Sequence, residues 1–396
     1  MHLLYLQQLL VLPQAAGNDR CWQFARQWVA AGHQVTFVST TAALPADHPW
    51  RQAAAYPAWF EVGGIHVCLF DIAYSHQMRF RRRIRAFAAY AWQVLRRDWC
   101  GGGYDAVLAY TAPLSVAEAG RRLARRLGLP LFVEVADVWP AVPIGMGIIR
   151  HPLLAGWLQG VARKVYAAAR QIFPYSEGMY AQLLAAGVPP GRLCTIPNGA
   201  DLEAFVPQAR PAGPVTRFIY AGTLGIANDL GQLMQAVALL GGRRDVRFDI
   251  VGEGNDAARV RQLARDLGLE QVHFWGQVPR GQVAALLAQA DVGIVCFAPF
   301  PVLEANAATK FFDYLAAGLP LLINYEGWQA DYLRRYQCGL SAPQGDAAAL
   351  AEAICRLADD PALRTTCAIN GRRLAEAQFD RRVLARQMLE RILALL

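Results

Sequence analysis

The chain has 396 residues, 55% of them hydrophobic and 18% charged, with a net charge of +8. That length supplies core for two or three domains, and that composition excludes a disordered chain. No run reaches the roughly 18 apolar residues of a membrane-spanning helix, and the eight cysteines are scattered without a CxxC pair, a pattern of buried reduced thiols in a cytoplasmic protein.

Residues 1–17 imitate a signal peptide, but they lack a basic leading region and carry two glutamines in the apolar run. A first strand, Leu3–Leu6, running into a loop is the better reading. The loop holds Gly17, Asn18, Asp19 and Arg20. A helix (Cys21–Ala31), the pair Gly32-His33 and a second strand (Val35–Ser39) follow. This βαβ opening predicts a parallel sheet whose carboxyl edge, where the loop lies, is where open α/β folds bind ligands.

Residues 40–75 read as irregular. Met78–Trp99 then carries seven Arg and a single Asp, with Phe80, Ile84, Phe87, Ala88, Ala91 and Leu95 at helical spacing. One reading is an interfacial helix on anionic lipid, contacting it through Arg81, Arg82, Arg83 and Phe87. The other is a domain helix with a solvated basic face. Residues 1–200 hold 19 basic and 10 acidic residues and residues 201–396 hold 20 and 21, so the whole excess lies in the first half. That asymmetry favours the membrane. No nucleic-acid-binding motif accompanies it.

A strand at Tyr104–Tyr110, the segment TAPLSVA (111–117) and a helix through Leu127 come next, then the strand Pro130–Val135. Asp137, just past that strand, is a candidate for site chemistry, although a turn role before Pro140 explains it equally well. A helix (Leu153–Ala169), a strand (Gln171–Pro174) and a helix capped by Ser176 complete this half. Pro197–Phe205 and the Pro/Gly-rich 206–214 read as a linker. The alternation restarts at Arg217–Tyr220, leading into AGTLGIAND (221–229), and continues through Arg247–Val251, His273–Trp275, Asp291–Phe297 and Leu321–Asn324. Two α/β units are predicted. Helices fill 346–396, the last (Arg381–Leu396) amphipathic enough to pack on either unit.

The most informative stretch is Glu304–Pro320, EANAATKFFDYLAAGLP. A polar loop meets a helix start (Ala307–Ala317) after a strand, where unpaired N–H groups and the helix dipole attract phosphate. Lys310 stands in the first turn, normally unfavourable for a cation, and is one of two lysines against 37 arginines. An anion shared by the ammonium and the helix end would offset the misplaced charge. Asp313 could accept hydrogen bonds from a ribose. A plain core helix with a surface lysine is the competing reading. Val251-Gly-Glu-Gly begins like a dinucleotide fingerprint but lacks its third glycine. There is no P-loop, HExxH, GxSxG, Cys/His cluster or Asp-x-Asp, so no metal is expected, and a leaving diphosphate must be met by Lys, Arg and backbone dipoles.

Together these segments resemble the family 4 retaining glycosyltransferases of GT-B fold, in the bacterial branch that builds O-antigen, colanic acid and other exopolysaccharides. The match runs through Gly17–Arg20, TAPLSVA, FVEVADVWP (132–140), PNGADLEAF (197–205), YAGTLGIAN (220–228), VGEG (251–254), 301–320 and NYEGW (324–328). The resemblance implies an α/β protein of two Rossmann-like domains with parallel sheets facing across a cleft. Residues 1–200 would bind the acceptor, 201–378 the nucleotide-sugar, and 379–396 would return to the first domain. By the same resemblance Gly17, Arg20, Gly222, Thr223, Asn228, Gly252, Glu253, Glu304, Asn306, Lys310 and Asp313 hold the donor. Asp19, Thr111 and Trp139 face the acceptor, and Asp137 and Lys310 are catalytic. The implied partners are a nucleoside diphosphate sugar, a lipid-linked or polysaccharide acceptor and the anionic cytoplasmic face of the inner membrane, with neither metal nor other cofactor.

The chain departs from the family pattern in places. The family's paired glutamates fall on Ala305 and Asp313, so Glu304 or Asn306 would replace the first. The Arg and Lys usual after the first strand of the second domain are missing from Gly222–Asp229, leaving Lys310, Asn228 and Arg20 for the pyrophosphate. Ala136 and Ala141 stand where an Arg and an acid are usual. These alanines motivate an alternative, a non-catalytic nucleotide-binding subunit of a polysaccharide assembly. A sugar-nucleotide epimerase of the same fold is a further alternative, and an NAD-dependent dehydrogenase the most remote.

Overall fold

The computed structural model of the chain describes every residue except 14, 16, 46, 76–77 and 209–212, so the middle of the expected linker lies outside the described residues, as does the side chain of Phe80. The chain divides into two compact units, Met1–Pro197 with Arg382–Leu396, and Asn198–Arg381.

The first unit contains β1 (His2–Leu6), α1 (Arg20–Ala30), β2 (Gln34–Thr40), β3 (Ala58–Val62), β4 (Ile65–Phe70), α2 (Phe80–Arg96), β5 (Ala106–Tyr110), α3 (Leu114–Leu127), β6 (Leu131–Val135), α4 (Ala141–Gly145), α5 (Pro152–Ala168), β7 (Gln171–Pro174) and α6 (Glu177–Ala185). Its strands are ordered β3-β4-β2-β1-β5-β6-β7. The signal-like N-terminus is thus an inner strand: β1 pairs in parallel with β2 on one side and β5 on the other. Its apolar run is what a strand buried on both faces requires.

Two expectations need correction. The sheet is not wholly parallel, because β3 runs antiparallel to β4. Residues 58–70, read as irregular, form a hairpin that turns on Gly63 and Gly64 at φ 57° and 78°. Two successive left-handed residues make the tight turn whose twist suits a hairpin, and glycine takes them without strain. On α2 the inward stripe is Ala86, Tyr90 and Val94, and the Tyr90 hydroxyl donates to the Val38 carbonyl at 2.7 Å. Ile84 is 47% exposed and Trp92 53% exposed. Phe87 is half-buried against the Tyr74 ring.

The second unit contains β8 (Thr216–Ala221), α7 (Leu230–Ala238), β9 (Val246–Val251), α8 (Ala257–Asp266), β10 (Val272–Gly276), α9 (Arg280–Leu287), β11 (Val292–Val295), α10 (Thr309–Ala316), β12 (Leu321–Ile323), α11 (Trp328–Tyr336), β13 (Gly339–Ser341), α12 (Ala347–Asp359) and α13 (Pro361–Gln378). All its strand pairs are parallel, in the order β10-β9-β8-β11-β12-β13. The chain winds outward from β8 to β10, then returns to β11 on the other side of β8. That reversal places a topological switch point between the carboxyl ends of β8 and β11, where ligands bind open α/β sheets. Each unit is therefore a Rossmann-like α/β domain. The last helix, α14 (Arg381–Leu393), returns to the first unit, where Leu384, Met388 and Ile392 join the core beside Trp28. The Trp28 indole donates to the Ala385 carbonyl at 2.7 Å. Among the described residues no helix is long and apolar enough to cross a membrane.

Candidate active site

In the second unit the loops after β8, β9 and β11 converge. A Cβ at Gly252 would lie 1.9 Å from the Gly222 carbonyl oxygen, and one at Gly254 would lie 2.1 Å from that of Leu224. The VGEG glycines therefore serve contact between two loop backbones, joined by a hydrogen bond from Leu224 N–H to the Glu253 carbonyl at 3.0 Å. The Glu253 carboxylate is paired with Arg261, so its expected donor contact would compete with an ion pair. The Thr223 carbonyl accepts from the Tyr220 hydroxyl at 2.8 Å and from the Asn228 side-chain amide at 2.9 Å, which fixes the shape of the 222–229 loop. Asn228 thus has its amide engaged in holding the loop.

Lys310 threads into this loop from α10. Its Nζ lies 4.7 Å from the centroid of the Tyr220 ring, and a Cβ at Gly222 would come within 2.6 Å of its Cε. A side chain at this position would push the flexible end of the lysine aside. Burial lowers the Lys310 pKa to about 8, against smaller opposing pulls from Cys296 and Asp313. The start of α10 receives no side-chain cap from Ala308. Phe311 N–H donates to the Ala308 carbonyl at 3.1 Å, so an anion at this helix start would meet the N–H groups of Thr309 and Lys310. The preceding loop is pinned: the Trp328 indole donates to the Asn306 carbonyl at 3.0 Å and the Asn198 side chain to that of Ala307 at 2.6 Å. Glu304 and Asn306 are half-buried on either side of buried Ala305. Gly327, at φ 99°, passes so close that a Cβ there would lie 2.8 Å from the Glu304 carbonyl oxygen.

One turn beyond Lys310, the Asp313 carboxylate lies 3.9 Å from Arg280, which also pairs with Asp201 at 3.4 Å. Sequence reasoning selected neither Arg280 nor Asp201. The signal was available, because Asp201 lies within PNGADLEAF and Arg280 opens the helix after β10.

In the first unit, the Thr111 hydroxyl donates to the Asp137 carbonyl at 3.2 Å and the Trp139 N–H to the same oxygen at 2.9 Å. The loops after β5 and β6 thus meet at Asp137, whose carboxyl burial pushes up to about 7. Asp19 is buried at the start of α1 and accepts from the Gln23 side chain at 3.0 Å. Gly17 has φ 129°, a conformation that favours glycine. Arg20 is a correction. It is 0% exposed, paired with Glu134, and donates to Tyr175 Oη at 3.0 Å and to the Pro197 and Ile196 carbonyls, each at 3.2 Å. Its fork is spent inside the core, so it is not a pyrophosphate ligand. Among the described residues no three His, Cys, Asp or Glu gather where they could hold a metal ion.

Comparison with known proteins gives two domain matches. Residues 16–199 match the glycosyl transferase 4-like domain and residues 205–374 match glycosyl transferases group 1. The chain is 24% identical over 238 residues to the amylovoran biosynthesis glycosyltransferase AmsK of Erwinia amylovora, covering 57% of this chain and 57% of that protein. The chain thus spans less than two thirds of that relative's length. It is 23% identical over 347 residues to the putative colanic acid biosynthesis glycosyl transferase WcaI of Escherichia coli, covering 80% and 81%. Among solved structures it superposes on sucrose-phosphate synthase of Thermosynechococcus elongatus with a TM-score of 0.77 at 19% identity, covering 99% of this chain and 98% of that one. On Anabaena HepE in complex with UDP-glucose the TM-score is 0.71 at 16% identity, with both chains covered fully (100%). With a glycosyl transferase 4-like domain followed by a glycosyl transferases group 1 domain, the chain belongs to the glycosyltransferases of GT-B fold.

Proposed function

We propose that the chain transfers a hexosyl or N-acetylhexosaminyl group from a nucleoside diphosphate sugar to a bacterial, polyprenyl-linked glycan, with retention of configuration and without a metal. The observation that carries this reading is Lys310, held beside Gly222 and Tyr220 at the switch point, with the uncapped start of α10 next to it. The ammonium and the helix N–H groups would bind the diphosphate and stabilise it as it leaves. Asp313, oriented by Arg280, would hold the ribose, and Glu304 or Asn306 would contact the sugar. Thr223, Gly222 and Asn228 would form the wall of this pocket. In the first unit Asp137, with Asp19, Thr111 and Trp139, would orient the acceptor hydroxyl. With no nucleophile assigned, the acceptor oxygen would bond to the anomeric carbon on the face from which the phosphate departs. The hydroxyl proton would pass to an oxygen of the leaving β-phosphate, so atoms and charge balance. Placement in exopolysaccharide assembly is supported by the names of AmsK and WcaI. A nucleotide-sugar donor is supported by the structural neighbour bound to UDP-glucose.

The test is a melting-temperature panel of UDP, GDP, dTDP, CMP and NAD, with and without EDTA. One nucleoside diphosphate should stabilise the protein by mass action, indifferent to EDTA. Stabilisation by NAD alone, or by none, would sink the reading.

The cytoplasmic membrane surface is the proposed location. The outward stripe of α2 combines Ile84 and Trp92 with the exposed Arg81, Arg82, Arg85 and Arg96, and Arg96 lies 4.6 Å over the Trp92 ring. On α5, Leu153 and Trp157 are 78% and 65% exposed. Aromatic and cationic side chains on one amphipathic helix suit an anionic interface. Charge reversal at Arg81, Arg82 and Arg83 should reduce cosedimentation with phosphatidylglycerol vesicles several-fold while neutral vesicles stay unbound. Equal binding of wild type to both vesicle types would count against it.

A further inference from the structure

The first unit has a cavity of about 510 Å³ at the edge of its sheet opposite the loops that hold Asp137 and Thr111. It is walled by the second half of α3, by the Leu129–Leu131 entry to β6, and by the end of α5 running into β7. Arg121, Arg125, Arg170 and Arg192 line it, and none of the eleven lining residues is acidic. The five residues of β6, about 16 Å of extended chain, separate this edge from Asp137. The cavity is therefore distinct from the residues proposed to meet the acceptor.

Arginines at helix C-termini have an ordinary task, satisfying terminal carbonyls and the negative end of the dipole. Some here perform it. Arg192 donates to the Ala167 carbonyl at 2.7 Å, and Arg126, just outside the cavity, donates to the Arg97 carbonyl at 2.8 Å. Arg121 is paired with Glu118 through two bonds of 2.7 and 2.8 Å. Arg125 and Arg170 do neither: among the described residues no carboxylate or carbonyl accepts from either guanidinium. Guanidinium groups gathered around one cavity repel each other, and an anion between them relieves that repulsion. Their planar forks match phosphate oxygens two at a time. The volume falls within the range of small-molecule sites and exceeds what a lone inorganic ion needs.

We propose that this cavity binds a phosphate-bearing anion, with Arg125 and Arg170 as its principal ligands and Arg192 and Arg121 as the flanking charges. The phosphate has two possible sources, a lipid headgroup at the membrane surface or a soluble phosphorylated compound. In either case it is a second anion site, independent of the one around Lys310.

The experiment is calorimetric titration of the full chain with inorganic pyrophosphate, together with cosedimentation on vesicles with and without phosphatidylglycerol. Wild type is compared with Arg125→Gln/Arg170→Gln and with Lys310→Met. Both arginines are exposed, so the double variant should melt like wild type. Wild type should show two pyrophosphate sites. Loss of two charge-assisted hydrogen-bond donors should weaken one of them about tenfold or more in the double variant, which keeps the site around Lys310, while Lys310→Met keeps the other. Loss of one pyrophosphate site with vesicle binding kept identifies a soluble ligand. Vesicle binding lost in the double variant, with Arg81–Arg83 intact, identifies a lipid headgroup. Undiminished binding of both probes by the double variant overturns the proposal, as does pyrophosphate binding that disappears entirely in Lys310→Met.

Discussion

Replacing Lys310 by Met should abolish stabilisation by the nucleoside diphosphate and lower kcat/KM about 10²- to 10³-fold, the scale of losing one preorganised group on a developing anion. The same change should raise the melting temperature of the ligand-free protein. The cause is the desolvation that lowers the Lys310 pKa from 10.5 to about 8. A base with a depressed folded pKa binds fewer protons folded than unfolded, so its burial opposes folding wherever the unfolded side chain is charged. That penalty is complete below pH 8, declines between pH 8 and 10.5, and vanishes above. Lys310→Met should therefore be more stable than wild type by about 1–3 kcal/mol at pH 7, with the gap closing above pH 8. The cation–π contact with Tyr220 returns a small part of the cost. Binding should show the converse dependence. Nucleotide affinity falls as pH rises past about 8, and diphosphate binding above that pH takes up a proton, detectable calorimetrically in buffers of different ionisation enthalpy. A Lys310→Met variant that still binds the nucleotide as wild type does would remove Lys310 from the site and leave its burial without a function.

Much of this arrangement was legible in the residues. Strand–helix alternation with apolar runs gave both sheets, and the isolated lysine in an arginine-rich chain singled out α10 as the candidate for a phosphate. What escaped has physical reasons. The β3–β4 hairpin depends on Gly63-Gly64, but Pro57 and the tryptophans around it made the stretch read as irregular. Periodicity on α2 supports two apolar stripes. Choosing between them needs to know that Tyr90 meets Val38 across the fold, and one-dimensional spacing cannot report that. Asp313 was visible, whereas Arg280 and Asp201 are brought to it from segments 33 and 112 residues away in the chain. Arg20 misled because a polar loop at a sheet's carboxyl edge suggests a ligand, and nothing local in the sequence reveals Glu134 as its partner.

Arg20→Ala should lower the stability of the first unit by about 3–5 kcal/mol, the usual cost of stripping one member from a buried ion pair. For a unit of this size that is a fall in melting temperature of about 10 °C. The carboxylate left behind would keep the Tyr5 and Tyr175 hydroxyls, which both reach it, but would lose the Arg20 cation. The Ile196 and Pro197 carbonyls would lose donors at the point where the chain leaves the first unit. Arg20→Lys should recover little, because an ammonium cannot serve Glu134, Tyr175 and two carbonyls with one planar fork while its carbon face lies 3.9 Å from the centre of the Phe24 ring. Glu134→Gln should cost less than Arg20→Ala, since an amide still accepts from Arg20 and the guanidinium keeps its carbonyl partners. A double-mutant cycle over Arg20→Ala and Glu134→Ala should give a coupling of several kcal/mol, with the double variant closer to wild type than the two single losses summed. The result also separates the core role from the ligand role suggested by the sequence. A phosphate ligand, once removed, leaves the unliganded melting temperature in place and reduces the shift produced by nucleotide. Arg20→Ala should do the reverse, with a large fall in the unliganded protein and a nucleotide shift that persists at temperatures where the variant is folded.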